Sequence, residues 1–212
     1  MFGNNPFALQ VEFSQDFLNL ELPWLDYMVE KMDKARERVI DELLVIRFQE
    51  GSRESFEFLM RRWQRRLWWY ARRLTGSEDA AWDVMQETWL AIFRQKRKLR
   101  DPAWFAVWAY RIVRNKSADY TRAAIRQRQL AETLADRKSA SSERNQADSS
   151  ESLVEALRRL PPDQQELLTL KYSAELSVVE IAVVLGIPTG TVKSRLHYIR
   201  EHLRRIMKGD ES

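Results

Sequence analysis

Six side chains near the carboxyl end have the chemistry to read a base edge: Thr191, Lys193, Ser194, Arg195, His197 and Tyr198. Each offers hydrogen-bond donors or acceptors, and the two cations add charge for phosphates or guanine edges. Among and beyond them Val192, Leu196, Ile199 and Leu203 recur at spacings of 4, 3 and 4. That apolar stripe turns inward and leaves the six polar residues towards solvent or DNA. Just upstream, Ile181, Ala182 and Leu185 supply the buried face of a shorter helix, and Gly186-Ile187-Pro188 breaks it. Glycine permits a left-handed backbone there, and proline cannot continue the helix. Thr189 or Thr191 can cap the second helix. Two helices joined in this way form a helix-turn-helix whose second member enters a major groove. The plain alternative is a helical hairpin inside a core.

A second set of residues suits a different contact. The segment after Asp101-Pro102 carries Trp104, Phe105, Trp108, Tyr110 and Tyr120 among Arg111, Arg114, Asn115, Lys116 and Arg122. Cations interleaved with aromatics can hold a backbone while rings stack on unpaired bases. Most of these rings are nevertheless expected in a core, since Phe105, Trp108 and Ile112 make an i, i+3, i+7 stripe. A third set, Asp83, Gln86 and Glu87, is the exposed side of the helix DAAWDVMQETWLAIF and suits a basic protein partner. Its plain alternative is a solvated helix face.

Enzyme chemistry finds little support. No phosphate-cradling glycine loop, nucleophile–base pair or metal-ligand set occurs, and the chain holds only six glycines. His197 and His202 lie five apart on one helix, which does not put both on one face, and cysteine is absent. The expectation is therefore no catalytic residue, no metal and no cofactor, in a reducing compartment.

The elements that must position these residues follow from periodicity and charge. Basic residues number five against ten acidic ones in 1–50, and eighteen against eight in 51–128. The balance is three against five in 129–152 and nine against eight in 153–212. Positive charge thus concentrates outside the helix-turn-helix, which implies a second nucleic-acid surface. Phe56, Leu59, Met60, Trp63 and Leu67 define an amphipathic helix whose other face is Arg61, Arg62, Arg65 and Arg66. Thr75-Gly76-Ser77 ends it, and Ser77 caps the next helix, which opens on Glu78 and Asp79. Residues 129–152, rich in Ser, Ala and charge, read as a flexible linker. Beyond them a helix over Leu153 to Leu160 stops at Pro161-Pro162, and Asp163 caps another bearing Leu167, Leu168 and Leu170. Asp26 to Ile40 also reads as helix, with Met28, Met32, Ala35 and Val39 on one stripe.

The expected fold is all-α: two small helical domains joined by a flexible linker, the second a helix-turn-helix domain. The divisions are an acidic extension at 1–40, a first domain at 41–128, the linker at 129–152 and a second domain at 153–212. Strand-like alternation is confined to Leu9-Val11-Phe13. No apolar run approaches the ~20 residues of a membrane span. The start lacks a basic segment followed by an apolar core, so a cytoplasmic location is expected.

The order of these pieces resembles bacterial RNA polymerase sigma factors of the extracytoplasmic-function (ECF) group. The resemblance covers about residues 41–128 and 153–207 and rests on DVMQETWLAIF, FAVWAYRIVRNKSADYTR and LSVVEIAVVLGIPTGTVKSRL. It implies a factor that binds core polymerase, recognises promoter −35 and −10 elements and helps open DNA. Asp83, Gln86 and Glu87 would face the clamp helices of the largest subunit, the second domain would meet the flap, and an anti-sigma factor is admitted as a further partner. Arg111, Asn115 and Arg122 would lie near the −10 element. Leu99, Arg100 and Asp101, in the stretch to Ala103, would form a loop that captures a flipped base. Thr191, Lys193, Ser194, Arg195, His197 and Tyr198 would meet duplex at the −35 element, His197 and Tyr198 being less usual residues there. Two other classes stay open: a helix-turn-helix regulator that needs no polymerase, and a polymerase-binding adaptor or inhibitor.

Overall fold

The computed structural model describes residues 23–134, 157 and 159–208. Among the described residues every regular element is helical. The chain divides into two units, one ending at Ile40 and the other spanning Asp41–Ser212. The Leu9-Val11-Phe13 alternation lies outside the described residues.

Helix α1 spans Pro23–Glu50. It runs ten residues past the expected end at Ile40, because Val45 and Phe48 are buried in the core of the second unit. Met32, Ala35 and Val39 of the earlier stripe are exposed, and the Met28 side chain is outside the described set. Helix α2, Arg53–Thr75, starts where the Ser52 hydroxyl accepts the Ser55 N–H at 3.1 Å. It ends at Gly76, whose φ of 73° is left-handed. Helix α3 is Glu78–Gln95. Ser77 holds its N-cap position, but its hydroxyl makes no capping bond; the two acidic residues of the first turn face the helix dipole instead.

Short 3₁₀ turns at Lys96–Lys98 and Pro102–Trp104 lead into α4, Phe105–Leu134. Leu59, Trp63 and Leu67 of α2, Val84, Met85 and Ile92 of α3, and Phe105, Ala109 and Val113 of α4 fill one core. These three helices pack on one another in every pairing. Because α4 continues to Leu134, residues 129–134 of the expected linker are helical, with Gln129 and Leu130 exposed. The rest of that linker, and most of the helix expected over 153–160, lie outside the described residues.

The second domain has α5 at Pro162–Leu168, a π-helical continuation at Thr169–Ser173, α6 at Val178–Leu185 and α7 at Thr189–Lys208. Asp163 is not the cap of α5. Pro161 holds that position and its carbonyl takes the N–H groups of Gln164 and Gln165, so Asp163 sits in the first turn. Likewise neither Thr189 nor Thr191 caps α7: the first helical bond runs from the Val192 N–H to the Pro188 carbonyl at 3.2 Å, placing both threonines inside the first turn. A proline just before a helix is compatible with this, since an N–H there has no intrahelical role.

The two domains meet. Helix α6 packs on α4, and the Glu166 carboxylate of α5 accepts the Tyr70 hydroxyl at 2.6 Å and the Arg114 Nε–H at 3.0 Å. Burial, followed by the adjacent Glu166 charge, raises the Tyr70 phenol well above its ordinary value, so it stays a donor.

Candidate nucleic-acid and polymerase interfaces

Local sequence builds the helix-turn-helix. Ser177 and Glu180 form a reciprocal capping box at the start of α6, with bonds of 2.7 and 3.3 Å. Gly186 ends it at φ 69°, and the N–H groups of Gly186 and Ile187 both reach the Ala182 carbonyl. Ile181, Ala182 and Val184 are buried and Leu185 is partly buried. Helix α7 packs on α6 and α5 through Val192, Leu196 and Ile199, all buried, with Leu203 at the margin. The opposite face carries Lys193, Ser194, Arg195, His197 and Tyr198, all exposed, while Thr191 is half-buried.

These residues are not equivalent. Arg195 pairs with Asp163 at 3.4 Å, which joins the face to α5. The Ser194 hydroxyl bonds back to the Thr191 carbonyl at 3.1 Å. Tyr198 lies parallel to His202, ring centres 6.4 Å apart. Lys193 and His197, one turn apart, have their side-chain polar atoms uncommitted among the described residues.

The loop before α4 is pinned from α1. Gln49 Nε2 donates to the Lys96 and Leu99 carbonyls at 2.9 and 2.7 Å, and Lys96 Nζ donates to the Phe48 carbonyl at 2.9 Å. Leu99 is 7% exposed and belongs to the core. Leu99, expected in the base-capturing loop, thus has its side chain in the core, where an apolar group gains more than it would in water. Arg100 and Asp101 are exposed, and Asp101 Oδ1 accepts the Ala103 N–H at 3.0 Å, stiffening the turn into α4.

Arg111, Asn115 and Arg122, spaced by 4 and 7, share one exposed face of α4. Arg122 is paired with Asp119 at 2.6 Å on the surface. Arg114 points elsewhere, to Glu166, and Lys116 reaches Glu87 at 3.1 Å. Trp104, 39% exposed, and Trp108, half-buried, continue the Arg111–Asn115 row upstream. Both tryptophans belong to the rings expected to be able to stack on unpaired bases, though not to the −10 residues that the resemblance implies, and spacings of 4, 3 and 4 from 104 to 115 carry that signal.

On α3, Asp83, Gln86 and Glu87 are exposed as expected, Glu87 through its bond to Lys116. Trp82, Leu90 and Phe93 stand beside them, 46%, 40% and 51% exposed. The surface is therefore a mixed one, with an apolar ridge along an acidic edge, the composition of a protein-binding face rather than a DNA-binding one. Among the described residues no group of three metal-binding side chains occurs, and no helix is long and apolar enough to cross a membrane.

Comparison with known proteins finds two family regions along the chain. The family "Sigma-70 region 2" matches residues 59–127 and "Sigma-70, region 4" matches 150–203. The chain is 30% identical over 178 residues to an ECF RNA polymerase sigma-E factor of Escherichia coli strain K12, covering 78% of this chain and 93% of that one. It is 29% identical over 178 residues to the factor of that name in Haemophilus influenzae, covering 78% and 94%. Among solved structures it resembles CnrH in complex with the cytosolic domain of CnrY, with a TM-score of 0.56 and 26% identity over 81% of this chain and 99% of that one. In fold it also resembles the sigma factor RpoE of Bartonella quintana in complex with the anti-sigma factor NepR, with a TM-score of 0.54 and 24% identity over 74% and 99%. The chain belongs to the ECF family of RNA polymerase sigma factors, the polymerase-binding proteins that recognise promoters to start transcription.

Proposed function

We propose that the three faces divide the work of initiation. Lys193, Arg195, His197 and Tyr198 of α7, with Thr191 and Ser194 in support, read the −35 duplex. Arg100, Asp101, Arg111, Asn115 and Arg122 act at the −10 element, with Trp104 and Trp108 as stacking platforms for unpaired bases. Asp83, Gln86 and Glu87, flanked by Trp82, Leu90 and Phe93, take the clamp of the polymerase, and the second domain meets its flap. The domain limits remain as read from sequence, apart from the helical 129–134. The factor carries no catalysis of its own and acts in the cytoplasm. An anti-sigma protein is a partner in keeping with the NepR complex of its structural neighbour.

One observation supports this division above others: the acidic–apolar face of α3 and the cationic face of α4 lie on packed neighbours yet carry opposite charge. One basic ligand cannot satisfy both, so two partners are required. Transcription with purified core polymerase tests it, read beside permanganate footprinting of unpaired thymines. Lys193→Ala with His197→Ala should reduce closed-complex formation, whereas Arg111→Ala with Asn115→Ala should spare docking and impair opening. Equal loss of docking in both pairs, with opening of the bound complex untouched, refutes the division.

A further inference from the structure

The arginine face of α2 belongs to none of these three surfaces. Phe58, Arg61, Arg65, Trp69 and Arg72 follow one another at spacings of 3, 4, 4 and 3, with Arg73 beside them. They therefore share one side of the helix over about 21 Å. The other side is committed to the core through Leu59, Trp63, Leu67 and Tyr70. Two large rings are left largely in water, Phe58 at 46% and Trp69 at 57% exposure. The Arg61 guanidinium lies 5.8 Å from the centre of the Phe58 ring. Trp69 sits against Trp68 at 5.0 Å, and Trp68 against the exposed Trp82 at 5.7 Å. Arg65, Arg72 and Arg73 have no ion-pair partner among the described residues.

We propose that this face is a further track for an unpaired DNA strand, with Arg65, Arg72 and Arg73 on phosphates and Phe58 and Trp69 stacking on bases. Unpaired bases offer free π-faces, whereas duplex would meet the arginines and leave the Trp69 ring in water. Arginine beside an aromatic ring serves both phosphate and base. A basic protein surface that suits α3 is repelled here, so the occupant differs from that of α3. A lipid surface requires an apolar face free to insert, and that of α2 is buried in the core. At ~3.4 Å per phosphate of a stacked strand, the track has room for about six nucleotides. The inference does not depend on the roles assigned to α4 or α7.

The test uses the full chain, a short fluorescent oligothymidine, a duplex of equal length and vesicles containing anionic phosphatidylglycerol, over a salt series. R65A/R72A/R73A should weaken oligothymidine binding about tenfold or more. The same variant should lower the salt slope by about 2, because each single-strand phosphate left unneutralised removes ~0.7 from it. Lysines at the same three positions should restore the slope. W69A should weaken the oligothymidine about tenfold at unchanged slope and leave duplex binding alone. Unaltered oligothymidine binding in both variants overturns the proposal, as does an equal loss on duplex in W69A. So does a loss confined to vesicles, which would assign the face to lipid.

Discussion

Glu166 is the residue on which the junction of the two domains turns. Its carboxylate is 12% exposed and holds both Tyr70 and Arg114, one donor from α2 and one from α4. Removing it leaves a buried phenol and a cation without their acceptor, whereas a charged hydrogen bond contributes about 1.5–3 kcal/mol. Arg114 is 38% exposed, so water recovers part of that loss. Glu166→Ala should therefore destabilise by about 1–3 kcal/mol, seen as a lower urea midpoint at constant slope, and Glu166→Gln by less. The tyrosines set an alkaline limit. Burial pushes Tyr110 up to about 12 from an ordinary 10.0, and Tyr70 moves the same way. A phenol whose folded pKa is raised binds its proton more tightly in the native state. Its stabilisation is full below pH 10 and is lost as pH rises towards about 12. Unfolding followed with pH should show this loss, and Tyr110→Phe should flatten it; an identical alkaline limb in the variant would assign the loss elsewhere.

At the scale of the element, Gly186 and Gly190 flank one turn yet make opposite demands on the backbone. Gly186 ends α6 at φ +69°, and an added Cβ would meet nothing within 4 Å. The cost of Gly186→Ala is therefore backbone strain alone, about 1–2 kcal/mol. Gly190 lies within the first turn of α7 with equally open space and no left-handed φ. Gly190→Ala should stabilise by up to about 1 kcal/mol through a stiffer unfolded chain and better helix propensity. Thermal unfolding of the two variants should move in opposite directions. Two shifts of the same sign would show that the turn is not held as described.

For the molecule as a whole, size is the constraint. A compact unit of the length of Asp41–Ser212 has a radius of gyration of about 16 Å. Elements centred 35 and 10 base pairs upstream are separated by about 85 Å of duplex at ~3.4 Å per pair. We predict that domains packed in this way do not reach both elements at once, so that the Glu166 junction and the α4–α6 contact part on the promoter. The chain has no cysteine, which makes site-specific labelling simple. Dyes on Glu54→Cys and Ser173→Cys, both exposed positions, should lose energy transfer when core polymerase and promoter are added. Glu166→Ala should lower the transfer in the free chain as well. Transfer that holds steady in the transcribing complex would contradict separation.

What could be read from the sequence alone is what nearest neighbours decide. The Val192–Leu196–Ile199 stripe, the Gly186 stop, the Gly76 stop and the exposed Asp83–Gln86–Glu87 edge all follow from helical period and the freedom of glycine to adopt positive φ. The helix caps read at Thr189, Thr191 and Asp163 lie one to three residues inside the actual starts at Pro188 and Pro161, since backbone hydrogen bonds choose the first turn and several polar residues compete for it. Tertiary structure alone decided that Leu99 is core, through carbonyls taken by Gln49 fifty residues earlier. It alone decided that Arg114 faces Glu166 while Arg111 and Asn115 face outward, and that α1 continues to Glu50 to deliver Val45 and Phe48. Periodicity identifies the face on which a side chain lies. Which neighbour covers that face depends on partners far away in the chain, and no local pattern encodes them.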